Sequence, residues 1–189
     1  MKIRNKIFVA VLTVLFVMCC SGNLAPICAQ DLTARDLCNM GEKYYHGWGV
    51  PCDKDKARVY YWRAAIRGDA RAQFLLSECW LMGEGCQEDS TEAFGWCLKS
   101  AQQGYVDAIT RLGWYYKFGE GTNMDLKKAA ELFQIAANKG NAMAQCHLGW
   151  CYEDGAGVPC DMKKAKYWFK KAAAQGWQPA KDALKEMAR

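Results

Sequence analysis

Cysteine is the side chain of this sequence with the most chemistry to offer: there are eleven in 189 residues, against two histidines. A thiolate can attack, bind a soft metal or pair into a disulfide, and spacing and compartment decide which. Cys19, Cys20 and Cys28 fall early; Cys38, Cys52, Cys79, Cys86, Cys97, Cys146, Cys151 and Cys160 follow. No C-x-x-C pair exists. Cys146, His147 and Cys151 stand at i, i+1 and i+5 of one expected helix and so point in different directions, and no zinc site or other cofactor is expected. Acyl-transfer chemistry has no seat either. Ser77, Ser90 and Ser100 are followed three residues on by Trp80, Ala93 and Gln103, so S-x-x-K is missing, as are K-T-G, G-x-S-x-G and H-E-x-x-H. No catalytic residue is assigned, and the chain reads as a non-enzyme.

The elements that must position these side chains repeat. Gly47, Gly83, Gly119 and Gly155 are spaced by 36, as are Gly49, Gly85, Gly121 and Gly157. Gly68, Gly104, Gly140 and Gly176 keep that interval, and so do Ala57, Ala93, Ala129 and Ala165, and Asp53, Asp89, Asp125 and Asp161. Five columns at one period without an insertion define a helical repeat. In the unit 142–177, Ala144, Leu148 and Tyr152 share one face of a first helix. The pair Gly155-x-Gly157 then ends that helix, Pro159 sits in the connection, and Asp161 caps a second helix that Gly176 closes. Ala144, Gly149, Ala165 and Ala173 mark close approaches of backbone, and Leu148, Tyr152, Trp168 and Phe169 fill the space between. The units are about 34–69, 70–105, 106–141 and 142–177. Residues 178–189 start a fifth first helix, expected to cap the array with Lys181, Lys185 and Arg189 on its free face.

The first 29 residues stand apart. Lys2, Arg4 and Lys6 precede an apolar run from Ile7 to Met18 that is too short to span a bilayer. They read as a signal peptide cleaved after Ala29, leaving a domain of residues 30–189 in the periplasm or outside the cell. The alternative is a lipid anchor on Cys19 or Cys20. Losing those three basic residues lowers the formal charge from +5 to +2. That leaves no electrostatic footprint for nucleic acid or an anionic membrane, and no membrane span is expected in the remainder.

Unit four carries nearly all of one pattern: Ala142, Ala144, Gln145, Leu148, Gly149, Tyr152, Gly155, Gly157, Val158, Pro159, Asp161, Lys164, Ala165, Trp168, Lys171, Ala172, Ala173 and Gly176. This resembles the Sel1-like repeat family, a relative of the tetratricopeptide repeat. The resemblance covers about 34–189. It implies an all-α, right-handed α/α solenoid of four helix-turn-helix repeats plus a C-terminal capping helix. It also implies an adaptor or scaffold that binds a protein or peptide, and a monomer is expected. Unit one departs at Asp36 and Met40, and unit two at Ser77, Cys86 and Glu92. For some cysteine-rich secreted relatives a penicillin-binding or β-lactamase activity has been claimed, which makes a cell-wall or β-lactam-related hydrolase the alternative function.

Such relatives also cross-link their helices, but at a cysteine register that this chain lacks. Its own spacing offers Cys151 with Cys160 and Cys79 with Cys86, each joining the end of a first helix to the next connection. Cys38 with Cys52 repeats the spacing of Cys146 with Cys160, an alternative pairing. Five cysteines lie in units one and two, three in unit four and none in unit three, so a monomer holds at most three internal bridges. The competing reading is that these thiols are small buried hydrophobes, because Cys79 and Cys151 share one normally apolar column and Cys38 and Cys146 another.

In such a solenoid the first helices line the concave face. Trp114 and Trp150 occupy one of its columns in units three and four, where units one and two hold Glu42 and Glu78; Arg111 and His147 share the neighbouring column. Tyr45, His46 and Phe118 lie near the helix ends. Glu78, Arg111, Trp114, His147 and Trp150 are the expected partner-binding residues, an aromatic patch with basic company of the kind that dominates interfaces. The competing expectation makes both tryptophans packing between adjacent first helices.

Overall fold

The computed structural model describes residues 32–188. The expected signal peptide, with Cys19, Cys20 and Cys28, lies outside the described residues. Four first helices, α1 (Ala34–His46), α3 (Ala70–Met82), α5 (Val106–Phe118) and α7 (Ala142–Asp154), alternate with four second helices. These are α2 (Lys54–Ala65), α4 (Ser90–Gln102), α6 (Leu126–Asn138) and α8 (Met162–Ala174), and α9 (Gln178–Glu186) follows. There is no strand among the described residues. Each helix packs on its neighbours in chain order, and the first helices α1 and α3 of successive repeats also touch. Contacts confined to adjoining repeats are what makes a solenoid. No helix among the described residues is long and apolar enough to cross a membrane.

The aspartate column does what its position demands. Asp53, Asp89, Asp125 and Asp161 hold extended backbone and accept hydrogen bonds from amides of the first turn of α2, α4, α6 and α8. The two glycines of each loop have different tasks. Gly47, Gly83, Gly119 and Gly155 are left-handed caps of the first helices at φ 64–73°. In repeats two to four the second glycine, also left-handed, lies against the preceding repeat. A Cβ on Gly121 or Gly157 would run into the backbone carbonyl of Ser90 or Leu126 at the start of the preceding second helix.

Small residues carry the close approaches. Ala57, Ala93, Ala129 and Ala165 are at most 1% exposed, as are Ala72, Ala108, Ala144 and Ala180. In α8 Ala172 is buried along with Ala165, while Ala173 is half-buried, as is Tyr152. Within repeats one, three and four a first-helix glycine accepts an aromatic ring of the second helix. A Cβ on Gly41, Gly113 or Gly149 would sit 2.5–2.7 Å from Tyr61, Phe133 or Phe169.

Candidate functional site

The five residues expected to bind a partner fall on α3, α5 and α7, and the structure links them into a strip along the first-helix face. Arg111 Nη2 donates to Glu78 Oε2 at 2.6 Å, joining repeats two and three across 33 residues. The Arg111 guanidinium lies 5.7 Å from the Trp114 ring centroid, and Trp114 packs on Phe118 at 5.0 Å. The His147 ring stacks on Phe133 at 4.8 Å and meets Trp150 edge-on at 5.3 Å. Lys117 connects the halves, its Nζ 5.6 Å from the Phe118 ring and 5.8 Å from that of Trp150.

Both tryptophans are half-buried. Trp114 packs on the central core and Trp150 on the C-terminal one, so each serves packing, while Phe118 beside them is 56% exposed. Burial shapes the electrostatics of the strip. It pushes the Glu78 carboxyl above the usual range, against the pull of Arg111. It holds His147 down at about 4, with Lys117 and Arg111 adding to the effect. Glu78 Oε1, Arg111 Nε and His147 Nδ1 make no hydrogen bond within the protein, nor do Trp80 Nε1 and the Tyr115 hydroxyl.

A second feature of this face lies between repeats one and two. A cavity of about 280 Å³ is lined by Glu42, Tyr45, His46, Phe74, Glu78 and Glu84, among others. Each carboxylate has a partner outside the lining: Arg71 for Glu42, Lys54 at 2.5 Å for Glu84, and Arg111 for Glu78. Sequence reasoning missed Lys117, Phe74 and Glu84. Glu84 falls in a column that holds Trp48, Glu120 and Ala156 in the other repeats, so its position carried no periodic signal.

The eight cysteines among the described residues are free thiols. The local pairs offered by the sequence are unbridged, and their orientations show why. Cys151 and Cys79 face the core at 1% and 2% exposure. Cys160 turns outward and its thiol donates to the Glu153 carbonyl at 3.2 Å; Cys86 sits above the Cys79 carbonyl, Sγ to O 3.6 Å. Cys52 repeats the Cys160 arrangement on Tyr45 at 3.2 Å, while Cys38 and Cys146 are buried. Burial pushes the thiols of Cys38, Cys79, Cys97 and Cys146 up to about 12, which leaves them inert as nucleophiles. Among the described residues no group of three or more His, Cys, Asp or Glu side chains is placed to hold a metal ion.

The model of the Sel1 repeat matches residues 34–69, 70–105, 106–141 and 142–177. The chain belongs to the Sel1 repeat family. Among solved structures it is similar to a Sel1 repeat protein from Oxalobacter formigenes, at 29% identity and a TM-score of 0.77, covering 82% of this chain and 62% of that one. A protective antigen of uropathogenic Escherichia coli that displays this repeat fold is 32% identical, at a TM-score of 0.73, over 76% of this chain and 31% of the other. Helicobacter pylori cysteine rich protein B is 25% identical, at a TM-score of 0.55, over 72% of this chain and 98% of that one. The chain thus spans less than two thirds of the first two. Comparison with curated proteins gave no match. Sel1 repeat proteins are generally scaffolds for protein–protein interaction, not enzymes. In this Sel1 repeat chain the side chains that depart from the shared columns, Glu78, Arg111, Lys117 and the two tryptophans, gather on the first-helix face.

Proposed function

We propose that this chain is a non-enzymatic, extracytoplasmic scaffold whose first-helix face holds a segment of a protein partner. One observation carries the reading. Repeats three and four set Trp114 against Phe118 and lay Lys117 over the rings of both Phe118 and Trp150. Rings that present one side to the core and the other to solvent, next to a lysine cation, supply contact area at low entropic cost. The extracytoplasmic setting rests on the leader-like first 29 residues.

The test is a pull-down from the native cell envelope with the wild-type chain and with the W114A/W150A double variant, alongside turnover assays on peptidoglycan and a β-lactam. A captured protein that is lost with the double variant while the melting curve stays in place supports the scaffold. Equal capture by both proteins removes the two tryptophans from the interface, and turnover by the wild type would replace the scaffold with the hydrolase.

A further inference from the structure

The second helices repeat their buried side but not their outer one. Ala57, Tyr61, Ala64 and Ala65 turn α2 into the core. On its opposite side Val59 and Trp62, with Ile66 one residue past its end, stand at i, i+3 and i+7 and are 46%, 47% and 55% exposed. The same three columns hold Gly95, Leu98 and Gln102 in α4, Glu131, Gln134 and Asn138 in α6, and Tyr167, Lys170 and Ala174 in α8. Repeat one alone therefore shows a row of three large apolar side chains to solvent, and such a row marks a surface that another protein covers. Asp55 and Arg63 flank Val59 one turn before and one turn after it on the same side of the helix. Both are exposed, and neither joins an ion pair among the described residues. Lys54 and Lys56 beside them are already paired, with Glu84 and Asp53.

We propose that the outer face of α2 is a two-fold contact with a second copy of this chain, α2 packing antiparallel on α2 with Val59 at the axis. The charges choose both the occupant and the register. An antiparallel pair centred on Val59 sets Asp55 of each copy beside Arg63 of the other, so the face is complementary to itself. The commonest helix crossing runs the i±4 rows of the two helices alongside one another. It aligns the row Asp55, Val59, Arg63 with its counterpart and brings Trp62 beside Trp62 of the second copy. A parallel pair would stack Arg63 on Arg63 and Asp55 on Asp55. Sliding the helices by one turn would set Val59 against a charge. One helix from each copy makes a small interface, so the dimer dissociates on dilution. It replaces the monomer expected from the sequence. The contact lies on the second helices and leaves the first-helix face of each copy free, so it stands without the scaffold reading. Where both hold, the dimer presents two partner-binding faces at once.

The experiment is sedimentation equilibrium of the full chain across a wide range of protein concentration. Reversible dimerisation of the wild type is expected. Asp55→Arg and Arg63→Asp each set like charges across the contact and should weaken dimerisation by at least about tenfold. The double variant D55R/R63D restores opposite charges and should recover it, an outcome that a sticky apolar patch without the two-fold register would not give. Both positions are exposed, and melting curves confirm that each variant is folded; should one single reversal unfold, the other carries the test. A wild type that stays monomeric, a folded single reversal that dimerises as well as the wild type, or a folded double variant that stays weak overturns the proposal. A monomer captured by a different protein through Trp62 overturns it too and gives the row to that partner. Failure of the envelope pull-down leaves this readout intact, so the two readings fail separately.

Discussion

Repeats two and four solve one packing problem in opposite ways. In repeat four, α7 offers Gly149 and α8 lays Phe169 across it; a Cβ on that glycine would sit 2.5 Å from the ring. Repeat two places Ser77 there, fully buried, its hydroxyl donating to the Phe74 carbonyl at 2.8 Å, and opposite it stands Cys97 instead of a ring. Repeats one and three follow repeat four, with Gly41 under Tyr61 and Gly113 under Phe133. A departure at one column is thus matched by a departure 20 residues later, and the unit that the fold conserves is the filled volume and not either residue alone.

The largest expected effect comes from mixing the two solutions. Gly149→Ser should destabilise the C-terminal half by about 3 kcal/mol through overpacking, and Phe169→Cys by about as much through the void it leaves. The double variant rebuilds the repeat-two pair and should cost at least about 1 kcal/mol less than the two single losses combined. Urea unfolding of the four proteins closes the cycle, and strictly additive losses would show that the two columns are independent.

Burial also sets repeats two and four against each other electrostatically. It pushes Glu78 toward its protonated form and keeps His147 neutral down to about 4. In the unfolded chain a histidine takes up its proton near its ordinary value of about 6.5. The contribution of His147 to stability is therefore complete above about pH 6.5 and drains as pH falls toward 4, by roughly 2 kcal/mol after allowance for the part of its ring that stays in contact with solvent. Glu78, raised in the fold, works in the opposite sense and blunts the loss. Urea midpoints at pH 7.5 and 4.5 should differ less in His147→Gln than in the wild type; an unchanged difference would place the acid sensitivity elsewhere.

Ion pairs between repeats rank next. Glu78→Gln should leave stability at neutral pH within about 0.5 kcal/mol of the wild type, because the burial that raises the Glu78 carboxyl offsets what its pair with Arg111, 24% and 22% exposed at its side chains, contributes. Glu42→Gln should cost about 0.5 kcal/mol and lose that difference in high salt, because Arg71 is 48% exposed. Melting temperatures at low and high salt separate the two, and equal salt sensitivity would put both pairs at the surface.

What the sequence disclosed follows from what recurs. The period, the aspartate caps and the first glycine of each loop stand in every repeat, so four instances support each reading. The second glycine also recurs, yet its role as a contact with the preceding repeat needs a neighbour 31 residues away, and column reading attached it to the helix stop. The period puts Glu78, Arg111 and the tryptophans on first helices, but the reach of Arg111 to Glu78, and not to a residue of its own turn, depends on how successive helices are offset. The fate of the cysteines turned on direction: Cys151 faces inward and Cys160 outward, and spacing carries no information on that.

The final test falls on a column whose residue changes in every repeat. The first helices are capped by Thr33, Asp69 and Asn141 at α1, α3 and α7, whereas Tyr105 and Trp177 give no side-chain acceptor to α5 and α9. Asn141 acts twice, accepting from the Ala144 amide at 2.9 Å and donating through Nδ2 to Asp107 at 2.9 Å. Asn141→Ala removes both bonds and should cost about 1 kcal/mol. Asn141→Asp keeps the cap but turns the donor into a second carboxylate facing Asp107, so at neutral pH it should lose a few tenths of a kcal/mol, recovered when either carboxyl is protonated. Amide exchange at Ala144 should quicken in the alanine variant and stay slow in the aspartate one. If both variants exchange alike, the start of α7 is held by its packing, as the starts of α5 and α9 already are, and the cap is dispensable there too.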